Sequence, residues 1–153
     1  MKIKMKLTEN FGGTSPDRIQ AFERKNNFKL PKDYSNFLLL NNGGYIEKGV
    51  FLINDFQGYD KIEVFHGFEL NNEYSNLDYL VDMFPDRFIK NIIPVGRDGG
   101  GNYICLNVNE GEDYGKIYFY DHEVDNENND GTLNWDNLYL VADSFTEFIE
   151  KLH

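Results

Sequence analysis

Apolar positions recur at helical spacing early in the chain and at strand spacing in its middle. Ser15-Pro16-Asp17 has the chemistry of a helix start: a hydroxyl to cap the first amides, a proline tolerated in the first turn, and an acid at the positive end of the dipole. Ile19, Phe22 and Glu23 follow at i, i+3 and i+4, a narrow stripe that ends at Asn26-Asn27. Leu30-Pro31 opens a second helix with a broader face of Tyr34, Phe37, Leu38 and Leu40. Asn41-Asn42-Gly43-Gly44 closes it with residues that accept left-handed backbone.

From Tyr45 the period changes. Val50-Phe51-Leu52-Ile53 and Ile62-Glu63-Val64-Phe65 are β-rich, the second alternating as a half-buried strand does. Ser75, with Asp78 three residues on, has the form of a capping pair for a third helix over Leu77, Leu80, Val81 and Phe84, closed by Pro85. Three more strands are expected at Ile92–Val95, Tyr103–Leu106 and Lys116–Tyr120. The turn-rich Asp98-Gly99-Gly100-Gly101-Asn102 and Asn109-Glu110-Gly111-Glu112 separate them, at spacings that suit an antiparallel meander. The polar run from Asp121 to Gly131 reads as a loop, and Trp135, Leu138, Tyr139 and Val141 lead into the last element. There Ser144 and Glu147 form an S-x-x-E box before a stripe of Phe145, Phe148, Ile149 and Leu152. Helices at both ends of a run of strands predict one α+β domain over residues 1–153: N-terminal helices, a central mainly antiparallel sheet and a C-terminal helix.

Composition supports a globular chain. Of 153 residues, 41% are hydrophobic, and 13 Phe, 10 Tyr and 1 Trp supply large side chains for a core. No apolar run approaches the length of a membrane span, so no membrane role is expected. Cys105 is the single cysteine, which excludes an intramolecular disulfide and a zinc cluster built on cysteine. Met1-Lys2-Ile3-Lys4-Met5-Lys6 has the basic start of a signal peptide, but Thr8-Glu9-Asn10 and Gly12-Gly13 stand where its apolar stretch would lie. The expectation is a protein that stays in the reducing cytoplasm.

Several segments together resemble a known family. Ile19, Phe22 and Glu23, followed by Leu30-Pro31-x-Asp33-Tyr34-x-x-Phe37-Leu38-x-x-Asn41-Asn42-Gly43-Gly44, resemble the opening signature of the SUKH superfamily of bacterial immunity proteins and yeast cell-wall regulators. Ile93-Pro94-Val95-Gly96-x-Asp98-Gly99-Gly100-Gly101-Asn102 and Gly115-Lys116-Ile117-Tyr118-x-x-Asp121-His122-Glu123 are similar to its central strands, and Ala142-Asp143-Ser144-Phe145-x-x-Phe148 to its terminal helix. The resemblance runs in the family's order over residues 19–148. It implies an α+β fold and, for most bacterial members, an intracellular immunity protein that blocks the toxin domain of a polymorphic secreted toxin, often a nuclease. It implies no shared catalytic residue, no cofactor, and partner contacts that vary with the toxin.

The residues themselves offer little catalytic chemistry. Asp98-Gly-Gly-Gly-Asn102 invites a phosphate-cradle reading, yet no helix or lysine follows and Asp98 would repel phosphate, so a tight turn or bulge, or a loop touching a partner, fits better. Asp121, His122, Glu123, Asp125, Glu127 and Asp130 are metal-ligand types, but the calcium-loop pattern fails at Asn126 and Thr132. His122 reads as a structural hydrogen bonder at a strand end, with partner contact and metal binding as alternatives. Ser144 is accounted for as a cap and Cys105 as a small hydrophobe in an apolar strand.

Charge is more informative. The 15 basic and 26 acidic side chains give −11, which argues against nucleic acid as a ligand and for a basic partner. The acid is segregated: residues 1–44 hold 8 basic and 4 acidic side chains, while Asp98–Glu150 holds 13 acidic ones against Lys116 alone. One account is a solubilising surface. The other is a negative face, with Asp98, Asp121, Glu123, Asp125, Glu127 and Asp130 as its candidate residues, that meets a basic toxin surface, with Tyr45, Tyr59, Tyr74 and Tyr114 as possible aromatic anchors. A regulatory or scaffold module without a toxin partner is the alternative function, and an enzyme or metal protein the third.

Overall fold

The structure, a computed structural model, describes residues 7–153. The basic stretch at 1–6, on which the reading of export rested, lies outside the described residues. Helix α1 (Pro16–Asn26) begins as its caps dictate, with Ser15 Oγ accepting the Arg18 amide at 3.1 Å, and ends at Asn27 in the left-handed region. Helix α2 (Lys32–Asn41) follows Pro31 without a side-chain cap and ends at left-handed Asn42. Its buried face is Tyr34, Phe37 and Leu38; Leu40, expected on that face, is 76% exposed.

Among the described residues eight strands form the sheet: β1 (Leu7–Asn10), β2 (Gly44–Ile46), β3 (Val50–Asn54), β4 (Gly58–Phe65), β5 (Ile92–Asp98), β6 (Tyr103–Asn107), β7 (Ile117–Tyr120) and β8 (Leu138–Ala142). The hydrogen-bonded order is β1-β2-β4-β5-β6-β7-β8, with β3 paired to β4, and every strand pair is antiparallel. From β5 to β7 this is the expected meander, and β8 extends it over residues whose pattern predicts only a lead into the last helix. Helix α3 (Leu77–Met83) lies between β4 and β5, and α4 (Phe145–Lys151) closes the chain. The cap of α3 is Asn76, whose Oδ1 accepts the Asp78 amide at 3.1 Å, and not Ser75 as the spacing suggested. Ser75 ends a short 3-10 turn instead and accepts a hydrogen bond from Arg97 Nη1 at 3.0 Å.

Alternation along the strands builds two apolar layers. Ile104, Leu106, Ile117, Phe119 and Val141 face the main core with the helices, where Phe22 packs edge to face on Phe68 at 5.0 Å, and Phe37, Phe65 and Phe145 pack edge to face or tilted on one another at 5.1 to 5.9 Å between ring centroids. Cys105 and Tyr120 face the other way, under Phe88 and Ile92 of the segment that follows α3. Asp33 ties α2 to α4, its Oδ2 accepting both the backbone N–H and the hydroxyl of Thr146 at 2.9 Å. At α4 the predicted cap forms, with Ser144 Oγ accepting the Glu147 amide at 3.0 Å, while the Glu147 carboxylate accepts the amide of Asp143, one residue before the cap, at 3.2 Å.

Candidate functional site

The acidic run becomes a built loop between β7 and β8. Its three aspartates use one carboxylate oxygen each to order the backbone: Asp121 accepts the Glu123 amide at 3.0 Å, Asp125 the Glu127 amide at 2.9 Å, and Asp130 both the amide and the hydroxyl of Thr132. The Thr132 hydroxyl, then its amide, hold the Asp130 carboxyl below its usual range. Asn126 is the anchor; it is buried, and its Nδ2 donates to the Arg87 carbonyl at 3.1 Å. Asn128 and Thr132 close a small hairpin at the tip, 2.7 Å from amide to carbonyl. Asp121 is half-buried; Glu123, Asp125, Glu127 and Asp130 are exposed, and none of the five makes an ion pair among the described residues.

Asp98 is placed differently. It is buried at the end of β5, and its carboxylate shapes the turn into β6: Oδ1 accepts the Gly100 and Asn102 amides and Oδ2 the Asn102 side-chain amide, all at 2.8 Å. The Gly-Gly-Gly run is thus a tight turn, with Gly101 at φ +96 and a Cβ there within 3.3 Å of the His122 ring. Asn102 Oδ1 in turn accepts the His122 amide at 3.0 Å and lies 2.6 Å from its Nδ1, so His122 joins the acidic loop to this turn. Asp60 of β4 precedes Ile62, which pairs with Asp98, and its buried Oδ2 finds no hydrogen-bond partner among the described residues. Burial, then the neighbouring Asp98 carboxyl, push the Asp60 carboxyl up to about 7. Burial works against ionisation of Asp98 as well, but the neighbouring Asp60 and the N–H donors of Asn102 and Gly100 outweigh it and leave Asp98 below its ordinary value.

The four tyrosines do not gather. Tyr45 packs on Phe11, Tyr74 on Tyr79, and Tyr114 donates to the Lys29 carbonyl at 2.7 Å. Tyr59 instead shares a groove of about 390 Å³ with Leu52, Leu140 and His153, along the seam where β3 packs against β8. Leu140 sits opposite Tyr118 in the β7–β8 ladder, and Trp135, at the end of the acidic loop, packs on Tyr118 at 5.3 Å. An exposed apolar strip therefore adjoins the carboxylates. Trp135 and Leu140 carried no motif; their signal was a large apolar residue inside a polar loop and another on a strand's outward register. Cys105 is buried, its thiol pushed well up by desolvation, which removes it as a nucleophile. Among the described residues no group of three or more His, Cys, Asp or Glu side chains is placed to hold a metal ion, and no helix is long and apolar enough to cross a membrane.

This arrangement of capped helices, antiparallel meander and terminal helix has a counterpart among known families. The model of the SMI1/KNR4 family (SUKH-1) matches residues 13–151. The chain belongs to this family. It is also similar to the SPbeta prophage-derived uncharacterized protein YokK of Bacillus subtilis (strain 168), 31% identical over 155 residues, a match covering 89% of this chain and 73% of that relative.

In this SUKH-1 chain the signature residues are spent on the fold. Glu23 Oε2 accepts the Leu30 amide at 2.7 Å, joining α1 to the start of the Leu-Pro segment. Asn42 makes two bonds to the backbone of Phe68, 2.9 Å from Nδ2 to the carbonyl and 2.8 Å from the amide to Oδ1. A Cβ on Gly43 would stand 2.5 Å from the Phe65 carbonyl, so the chain crosses there only without a side chain. Glu23, Asn42 and Gly43 therefore serve the fold, and partner chemistry has to be sought on the surface.

Proposed function

We propose that this SUKH-1 protein is a cytoplasmic immunity protein, an antitoxin that neutralises the toxin domain of a cognate polymorphic secreted toxin by stoichiometric binding rather than by catalysis. The observation that carries the reading is the ordered acidic loop, whose Asp121, Glu123, Asp125, Glu127 and Asp130 are free of ion pairs among the described residues and stand beside the apolar strip of Trp135 and Leu140. Asp98 is left out of the face, because the turn consumes its carboxylate.

The physics follows from what a partner would have to present. A nuclease displays Lys and Arg to bind phosphates, so a rigid set of carboxylates both steers its approach and occupies the cationic surface its substrate needs. Steering alone gives speed, not residence. Aromatic and aliphatic side chains that leave water at the centre of an interface supply the slow dissociation, with charges as the rim. Trp135 and Leu140, 43% and 49% exposed, fit that central role. Family membership supports an immunity role in general, and the nuclease class is inferred from the charge.

Co-expression with the toxin domain encoded beside the gene is the test. Rescue of growth together with co-purification in a 1:1 complex is the expected result. Rescue by a protein that neither co-purifies nor slows the toxin in vitro would sink the mechanism, and the absence of any toxic domain at the locus would favour a regulatory or scaffold module.

A further inference from the structure

Above the smaller apolar layer, aromatic and arginine side chains close a circuit. Tyr74 meets Tyr79 edge to face at 5.7 Å, Tyr79 meets Phe84 at 6.1 Å, and the Arg87 guanidinium lies over the Phe84 ring at 4.6 Å. Phe88 then meets Tyr103 at 5.3 Å, Tyr103 stands opposite Arg97 in the β5–β6 ladder, and Arg97 Nη1 returns to the Tyr74 carbonyl at 2.7 Å. Tyr74 and Arg87 are exposed, and Tyr79, Phe84, Arg97 and Tyr103 are half-buried. The acidic loop borders this patch at two fixed points. His122 donates its amide to Asn102, the neighbour of Tyr103, and Asn126 Nδ2 donates to the Arg87 carbonyl at 3.1 Å. Despite that proximity, neither Arg87 nor Arg97 makes an ion pair among the described residues, and neither do the loop acids. Cations and anions are neighbours on one face without being partners.

We propose that this face is a self-association surface: a second copy of the chain, related by a two-fold axis, sets its acidic loop against Arg87 and the aromatic patch and receives the first copy's loop in return. Symmetry argues for the copy. In a two-fold contact, patches that adjoin on one chain are exchanged across the axis, so a basic and an acidic patch side by side are complementary to their own duplicate. Tyrosine and arginine are also the side chains that anchor protein contacts most strongly.

Charge sets the strength. Two chains of net charge −11 repel at a distance, but at 0.1 M salt that repulsion is screened beyond about 10 Å, whereas arginine–carboxylate contacts at the patch act within that length. The dimer therefore belongs to the weak, reversible class. It covers Glu123 and Glu127 until a more basic partner displaces the copy. The inference needs no toxin and goes beyond the immunity reading, so the two fail separately.

Sedimentation equilibrium on the full chain from about 5 to about 200 µM tests it, and the expected result is a reversible monomer–dimer equilibrium. On dilution of the unaltered chain, amide NMR shifts should move together at residues 74–87 and 122–127. Arg87→Glu leaves the Arg87 carbonyl's bond to Asn126 in place, and Glu123→Lys/Glu127→Lys spares the aspartates that order the loop. Each variant alone sets like charges against each other at both contacts and should weaken dimerisation by about tenfold or more. An equimolar mixture of the two restores opposite charges at both contacts and should form a heterodimer. A wild-type chain that stays monomeric at about 200 µM, or dilution shifts confined to other residues, overturns the proposal whatever the variants do and leaves the face to a different chain. A dimer that either variant leaves intact, or that the mixture fails to restore, overturns it as well.

Discussion

The Tyr34 hydroxyl lies in the main core beside Phe37 and Phe145 and finds no hydrogen-bond partner, and burial pushes its pKa far above the phenol range. A buried hydroxyl without a partner costs its desolvation and returns nothing. Tyr34→Phe should therefore leave stability unchanged or raise it by about 1 kcal/mol in urea unfolding; a loss of that size would reveal a hidden bond. His66 makes the opposite case. Its ring is fully buried, Nδ1 lies 2.9 Å from the Pro94 carbonyl, and desolvation, aided by the Arg97 charge, lowers its pKa to about 3. The folded value lies below the unfolded one, so the contribution is present above the unfolded pKa of about 6.5 and is lost as pH falls toward the folded value. Between those limits the fold loses on the order of 4 kcal/mol to this group. His66→Gln should flatten the dependence of unfolding free energy on pH between about 6.5 and 4, and an unaltered slope would show that carboxylates alone set acid lability.

At the scale of elements, Asn42 joins two of them. It stops α2 at φ 54 and clamps the Phe68 backbone, which follows β4. Asn42→Ala strands a buried N–H and C=O and forces alanine into the left-handed region, so thermal or urea unfolding should register about 2 to 4 kcal/mol. Asn42→Gly relieves only the backbone strain and should fall between wild type and alanine; equal losses would mean that the hydrogen bonds carry the whole effect. The same residue shows what the sequence made legible. Asn42 announced a helix end because αL geometry is a local preference, but its bonds to Phe68 span 26 positions and leave no local trace. Helices α1 and α4 were readable for the same reason, from their serine caps. β1 and β2 were not: they are 4 and 3 residues long, polar or glycine-bearing, and exist because β2 ladders onto β4 and β1 onto β2. At α3 two polar residues, Ser75 and Asn76, competed for one cap, and the bond from Arg97 of β5 drew Ser75 away. The acidic loop was visible as composition, while the apolar strip that adjoins it arises from pairing β8 with β7 and from folding β3 against β8.

For the whole molecule the question is whether the segregated charge serves folding or binding. A net charge of −11 works against compaction, and self-repulsion is screened over about 10 Å at 0.1 M salt. Reversing Asp121, Glu123, Asp125, Glu127 and Asp130 to Lys, each worth two charge units, takes the net charge from −11 to −1. On repulsion alone this variant should melt no lower than wild type at low salt, although its loop loses the Asx bonds of three of these acids. Its association with the proposed toxin partner should slow by about tenfold or more and lose most of its salt dependence, while dissociation of any residual complex, if the apolar strip sets it, changes less. Stopped-flow association at several salt concentrations, beside calorimetric melting, separates the terms. Unchanged association with an unchanged salt slope would make the loop a solubilising surface and move the contact to another face. A collapse in melting temperature would make the loop a folding element. Slower association at preserved stability is the outcome that assigns these carboxylates to the partner, because only there does charge that is costly or neutral for the fold become favourable for the encounter.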